Sequence, residues 1–149
     1  MRDSTTTTQA RSGSVVFPDA WVDEWVRAAQ RTPEVQVVGR WARVTVVLRC
    51  GEEQVAVAFD RGRMRRLWSG ADGAGAETEA VVFAGSAAAW DSLLTPAPAP
   101  GCNDVLALDR LHPEFDVPVG RESLIRHLRL ILLLMGVAAR TERKLDDQR

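Results

Sequence analysis

Between Trp21 and Ala29 the apolar residues Trp21, Val22, Trp25, Val26 and Ala29 recur at helical spacing. This is the stripe of an amphipathic helix that buries one face. Pro18 and Asp19 suit its start, Asp23 and Glu24 place negative charge in its first turns, and Pro33 stops it. From Arg40 the period falls to two. Ala42, Val44, Val46, Leu48 and Cys50 alternate with Trp41, Arg43, Thr45, Val47 and Arg49, the pattern of a long half-buried strand. Gly51-Glu52 turns the chain into a second strand with Val55, Val57 and Phe59 inward. Asp60-Arg61-Gly62 turns it into a third strand, Arg63 to Ser69. Three strands joined by short turns predict an antiparallel meander.

The small-residue loop from Gly70 to Gly75 lacks the Lys-Ser/Thr pair and the glycine spacing of a phosphate loop. Glu79 to Ala84 reads as a fourth strand with Val81 and Phe83 on one side. Ser86 suits the N-cap of a short helix, Ala87 to Leu94, carrying Trp90, Leu93 and Leu94. Pro96 to Gly101 holds three prolines, which makes it a semi-rigid connector that could also rim a pocket. Asn103 to Leu111 fits either a short helix or a loop. Pro113 to Val119 reads as a strand with Phe115, Val117 and Val119 on one face, and its prolines push it to an edge. Gly120 turns the chain into a terminal helix, Arg121 to Arg140. Leu124, Leu128, Ile131, Leu132 and Met135 form its stripe, and Leu130, Leu133, Leu134 and Val137 widen it. A helix apolar nearly all round in its second half is covered on both sides.

These elements fill one domain, 17–140, between a disordered tail at 1–16 and a charged tail at 141–149. Of 149 residues, 46% are hydrophobic and 26% charged, which is a globular profile. Nineteen basic residues against twenty acidic ones leave a net charge of −1. Such a chain has no global field to recruit nucleic acid or an anionic membrane. The local cluster Arg61, Arg63, Arg65 and Arg66 reads as a solvated turn and edge strand. Cys50 and Cys102 have no CxxC spacing and no secretory signal precedes them, so neither a disulfide nor zinc is expected and the chain reads as cytoplasmic. The apolar run Leu130 to Met135 is far below the ~20 residues of a membrane span.

The run Val81-Val82-Phe83-Ala84-Gly85-Ser86, followed by Trp90, Leu93 and Leu94, resembles a strand, turn and helix of the sterol carrier protein type-two family. So does Phe115-Asp116-Val117-Pro118-Val119-Gly120 followed by Leu124 and Leu128, and so does the turn Phe59-Asp60-Arg61-Gly62 within the meander. The resemblance spans about Pro18 to Ala139. The chain departs from it at Asp109-Arg110-Leu111-His112-Pro113, where that family has a Gly-Lys pair, and in its longer proline-containing connector. The resemblance implies an α+β fold: a five-stranded, mostly antiparallel sheet covered on one face by N- and C-terminal helices. It also implies an apolar tunnel between the two layers and a hydrophobic small-molecule ligand, lipid, polyketide or terpenoid-like.

Five tryptophans and no tyrosine accompany the apolar terminal helix. Indole and Leu surfaces suit a flat, greasy ligand, and they equally suit an ordinary core. The expected ligand walls are Trp21, Trp25, Phe83, Trp90, Leu94, Phe115, Leu130, Leu133 and Leu134. No histidine or cysteine spacing marks a metal site, and no cofactor is expected. Chemistry, if the pocket supports any, falls to Asp109, His112 and His127 as acid or base of a cofactor-free cyclase or isomerase. His112 lies near Glu114 and Asp116 in sequence. His127 points either into the pocket beside Leu130 and Leu134 or along the helix surface with Arg126. A third reading makes the domain an accessory to a larger enzyme or a homodimer, with the apolar terminal helix as its contact face.

Overall fold

The computed structural model describes residues 15–68, 79–98 and 104–143. In chain order the elements are α1 (Asp19–Gln30), α2 (Pro33–Val38), β1 (Arg43–Cys50), β2 (Glu53–Asp60), β3 (Arg63–Leu67) and β4 (Glu79–Gly85). They continue with α3 (Ala87–Leu93), α4 (Val105–Leu111), β5 (Phe115–Val119), α5 (Arg121–Arg126) and α6 (Leu128–Arg140). The strands form one sheet in the order β3-β2-β1-β4-β5. Only the central pair β1–β4 is parallel, so the sheet is mixed and mostly antiparallel, and the fold is α+β. The glycine loop at Gly70 to Gly75 and part of the proline connector lie outside the described residues.

Alternation sets the face that meets the helices. Val44, Val46 and Leu48 of β1, Val55, Val57 and Phe59 of β2, Val81 and Phe83 of β4, and Phe115 and Val117 of β5 all enter one core. Helix α1 packs on β3 while α1 and α2 contact α6, so the first and last helices close over the sheet together. Local chemistry places the short helices. The Ser86 hydroxyl accepts from Ala89 N–H at 3.1 Å and starts α3, and the Asp104 carboxylate accepts from Ala107 N–H at 2.9 Å and starts α4. The second of these settles the open reading of 103–111 as helix from Val105 onward.

Two elements differ from the sequence reading. Pro33 does end the first helix, but it also occupies the first turn of α2, where its fixed φ is favourable and its missing N–H costs nothing. The terminal helix is not continuous from Arg121 to Arg140. It breaks at His127 (φ −111°, ψ 28°) into α5 and α6. The two halves follow different surfaces, since α5 packs against β4 while α6 packs against α1 and α2. Packing also reaches beyond 17–140. Val16 is buried in the core, and the Arg143 side chain is only 7% exposed.

Three turns enter the left-handed region, the β1–β2 turn at Gly51 (φ +62°) among them. Gly120, between β5 and α5, has φ +89°. In the β2–β3 turn it is Arg61 (φ +50°) that precedes Gly62 (φ +96°). A left-handed L-residue costs roughly 1–2 kcal/mol, and Asn or Gly is the usual occupant of such a turn.

Candidate functional site

The interior between sheet and helices is built around three indoles. Trp21, Trp25 and Trp90 are 0–2% exposed. Trp21 and Trp25 stack with centroids 5.4 Å apart, and Trp90 meets Phe17 and Phe115 edge-on at 5.2 and 5.4 Å. Each indole N–H has a backbone partner. Trp25 donates to Leu134 O at 2.9 Å and Trp90 to Arg49 O at 2.8 Å. Trp21 donates to both Ala138 O (3.3 Å) and Thr141 O (3.1 Å). Amphipathic residues that enter a core need such partners, because an orphaned N–H would lose its hydration without replacement.

Two clefts flank the end of α6. One, of about 400 Å³, lies between Leu94–Pro96 after α3 and Ala139–Arg143. The other, about 320 Å³, lies on the opposite side of the same helix end, against Glu24 and Ala28 of α1, Thr32 and Val137. Arg140, Thr141 and Glu142 form the wall between them. Leu94 belongs both to the first cleft and to the buried core, and the Trp21 indole sits behind the wall through its bond to Thr141 O. Arg143 closes the first cleft. It donates to Val16 O and to the Asp91 carboxylate, both at 2.9 Å, while its buried Nε–H has no hydrogen-bond partner. In the second cleft, hydrogen bonds from Arg31 and then Arg27 hold the Glu24 carboxyl below the ordinary carboxylate range.

Of the expected ligand walls, Trp21, Trp25, Phe83, Trp90, Leu94, Phe115, Leu130 and Leu134 share the single core, and Leu133 is half-buried against it. Trp41 and Trp68 stand apart, 79% and 67% exposed, with the Arg66 guanidinium 3.8 Å over the Trp68 ring. The lining residues Thr141 and Arg143 escaped the sequence reading, because a charged C-terminal stretch carries no signal that it packs.

The three candidate acid–base residues have separate sets of partners. Asp109 accepts both ends of the Arg121 guanidinium at 2.8 and 2.9 Å, and Arg121 also reaches Asp116 at 3.1 Å. The Asp109 bond above all raises the pKa of Arg121. His112 Nδ1 accepts from Glu114 N–H at 3.2 Å, and the Glu114 carboxylate accepts from the Ser86 hydroxyl at 2.6 Å. His127 is half-buried at the break between α5 and α6, its side chain 15% exposed. Its Nε2 is 3.3 Å from Glu79 Oε1 without a hydrogen bond, and Arg126 donates to the same oxygen at 2.7 Å. The Ser123 hydroxyl first, then Arg126, hold the Glu79 carboxyl below its usual range against partial burial. Among the described residues no cluster of His, Cys, Asp or Glu could hold a metal ion, and no helix is long and apolar enough to cross a membrane.

No protein-family model matches the sequence, and no curated protein matches it. Solved structures do match the fold. The crystal structure of sterol carrier protein 2 superposes with a TM-score of 0.57 at 16% identity, over 85% of this chain and 98% of that one. A conserved hypothetical protein of Thermus thermophilus, described as a candidate sterol carrier protein, gives 0.54 at 19% identity over 87% and 92%. The ubiquinone synthesis protein UbiJ-SCP2 gives 0.51 at 15% identity over 80% and 88%. The fold is therefore that of sterol carrier protein 2.

Proposed function

We propose that this chain binds a hydrophobic small molecule, with the cleft at Leu94–Pro96 and Ala139–Arg143 as the mouth of its site. The observation that carries this reading is the continuity between cleft and core. Leu94 is shared by both, and Trp21 is tied to Thr141 of the cleft wall. An apolar ligand entering there meets Leu and indole surface, and burial of that surface supplies roughly 25 cal/mol per Å². Arg143 lines the same cleft and carries a positive charge that suits a carbonyl or carboxylate at the polar end of the ligand. Sterol carrier protein 2 and UbiJ-SCP2 support the class of ligand by fold alone.

A fluorescent fatty-acyl analogue tests the reading, together with native mass spectrometry of the protein as purified. Uptake is expected with energy transfer from the buried indoles. Ala139→Trp, which fills the cleft from a half-buried helix position, is expected to abolish uptake with little change in melting temperature. Absence of any retained compound and of any uptake, or uptake unchanged in Ala139→Trp, overturns it. The first of those results favours a second reading, the accessory domain, which is supported by the complete bonding of all three core indoles: the fold would then be a solid scaffold.

A further inference from the structure

One end of the sheet gathers exposed cationic and aromatic groups that are scattered in sequence. The Arg61 N–H donates to Ala42 O at 2.7 Å, and Ala42 N–H donates to Gly39 O at 3.1 Å. The Gln36 side-chain amide donates to Gly62 O at 3.0 Å. These bonds knit the end of α2, the 39–42 turn and the β2–β3 turn into one corner. Arg43 stands opposite Asp60 in the β1–β2 register, and Asp60 stands opposite Arg63 in the β2–β3 register. On this corner Trp41 is 79% and Val37 65% exposed, the Arg40 guanidinium lies 5.8 Å from the Trp41 ring, and Arg40, Arg43, Arg61 and Arg63 are all exposed. Its carboxylates are Asp60, already bonded by Arg61 and paired with Arg43, and Glu34 in the first turn of α2. Four guanidinium groups against two carboxylates leave a local excess of two positive charges on a chain whose net charge is −1.

We infer that this corner docks the protein on an anionic lipid surface. An exposed indole on the same corner as an exposed valine needs an environment that is apolar on one side and wet on the other, which is what a headgroup region supplies. Arginine stems can follow the apolar surface while their heads meet phosphates. The left-handed Arg61 supports the assignment, since strain at an exposed turn tip persists where the residue has a use that asparagine or glycine would not serve. A nucleic acid would use the arginines and stack on the indole, but it would leave Val37 without a role.

The full chain should co-sediment with phosphatidylcholine vesicles containing phosphatidylglycerol at low salt, and not with phosphatidylcholine alone. Binding should weaken as salt rises. Arg40→Gln, Arg43→Gln and Arg63→Gln are each expected to lower partition about fivefold. Trp41→Ser should remove most of the bound fraction and the quenching of tryptophan emission by brominated lipid. Trp68→Phe, at the far end of β3, should retain both. All these positions are exposed, so circular dichroism melts should match the parent chain. No partition into anionic vesicles, partition indifferent to Trp41→Ser, or tight binding of single-stranded RNA without vesicle binding overturns the assignment. Vesicle docking and uptake of the fatty-acyl analogue are measured separately, so either can fail alone.

Discussion

Replacing Trp25 decides whether the space between sheet and helices is solid or hollow. The side chain is fully buried, stacks on Trp21 and donates to Leu134 O at 2.9 Å. Trp25→Phe removes that hydrogen bond, worth about 0.5–1.5 kcal/mol net, and leaves a small void, so a loss of roughly 1–3 kcal/mol is expected. Trp25→Ala empties the whole position. A packed site should then lose about 3–5 kcal/mol, with the stacking on Trp21 pushing it to the upper end. Urea unfolding followed by far-ultraviolet circular dichroism reads both values. With a slope of about 1–3 kcal/mol per molar, a 4 kcal/mol loss moves the midpoint by roughly 1.3–4 M. A cost for Trp25→Ala below about 2 kcal/mol would refute the packed interior. It would mean that the indole borders open space and that its neighbours lose little when it goes.

Two further predictions rest on single positions. Gly51 and Gly120 both have positive φ, but a methyl group at Gly51 meets nothing within 4 Å, whereas at Gly120 it overlaps Ala80 O and comes within 2.8 Å of Val81 Cα. Gly51→Ala should therefore cost only about 1–2 kcal/mol of backbone strain, and Gly120→Ala at least twice that in a thermal melt. Equal losses would show that the joint between β4 and α5 yields freely. Glu79 has a folded pKa below its ordinary 4.5 because Ser123 and Arg126 favour its charged form. The unfolded chain binds the proton first as pH falls, so this contribution is full above about pH 4.5 and is lost as pH drops through the folded value. Urea midpoints between pH 3 and 7 should fall less steeply at the acid end in Glu79→Gln than in the parent. An unchanged slope would remove Glu79 as a contributor.

The sheet was legible because β1 and β2 carry apolar residues at every second position, although β1 also buries Thr45 and β4 buries Val81, Val82 and Phe83 in succession. Val44, Val46, Leu48, Val55, Val57 and Phe59 point one way in sequence and are buried in the structure. The parallel pairing of β1 with β4 has no such signature, since it depends on strands far apart in the chain. The break at His127 was hidden for a related reason. Residues on both sides keep a helical period, and only the different packing of α5 and α6 separates them. Burial of Trp21, Trp25 and Trp90 follows from their helical stripes, but spacing cannot tell a wall from a filling. Nor could it gather Val37, Arg40, Trp41, Arg43, Arg61 and Arg63, which share a corner only after the 39–42 and 60–63 turns are bonded together.

A closed core and an open cleft are compatible if the end of α6 moves. The bonds from the Trp21 indole to Ala138 O and Thr141 O hold the wall between the two clefts, and Arg143 ties the segment beyond it to Val16 and Asp91. The indole has one N–H, shared between these two carbonyls, and breaking that bond costs about 0.5–1.5 kcal/mol at the usual net value of a hydrogen bond. Under the binding reading this is an opening cost that the ligand must offset, and about 1 kcal/mol lowers apparent affinity some fivefold relative to a preformed site. The offset requires roughly 40 Å² of newly buried apolar surface. That is less than one aromatic side chain buries, so even a modest hydrophobic ligand could hold the site open.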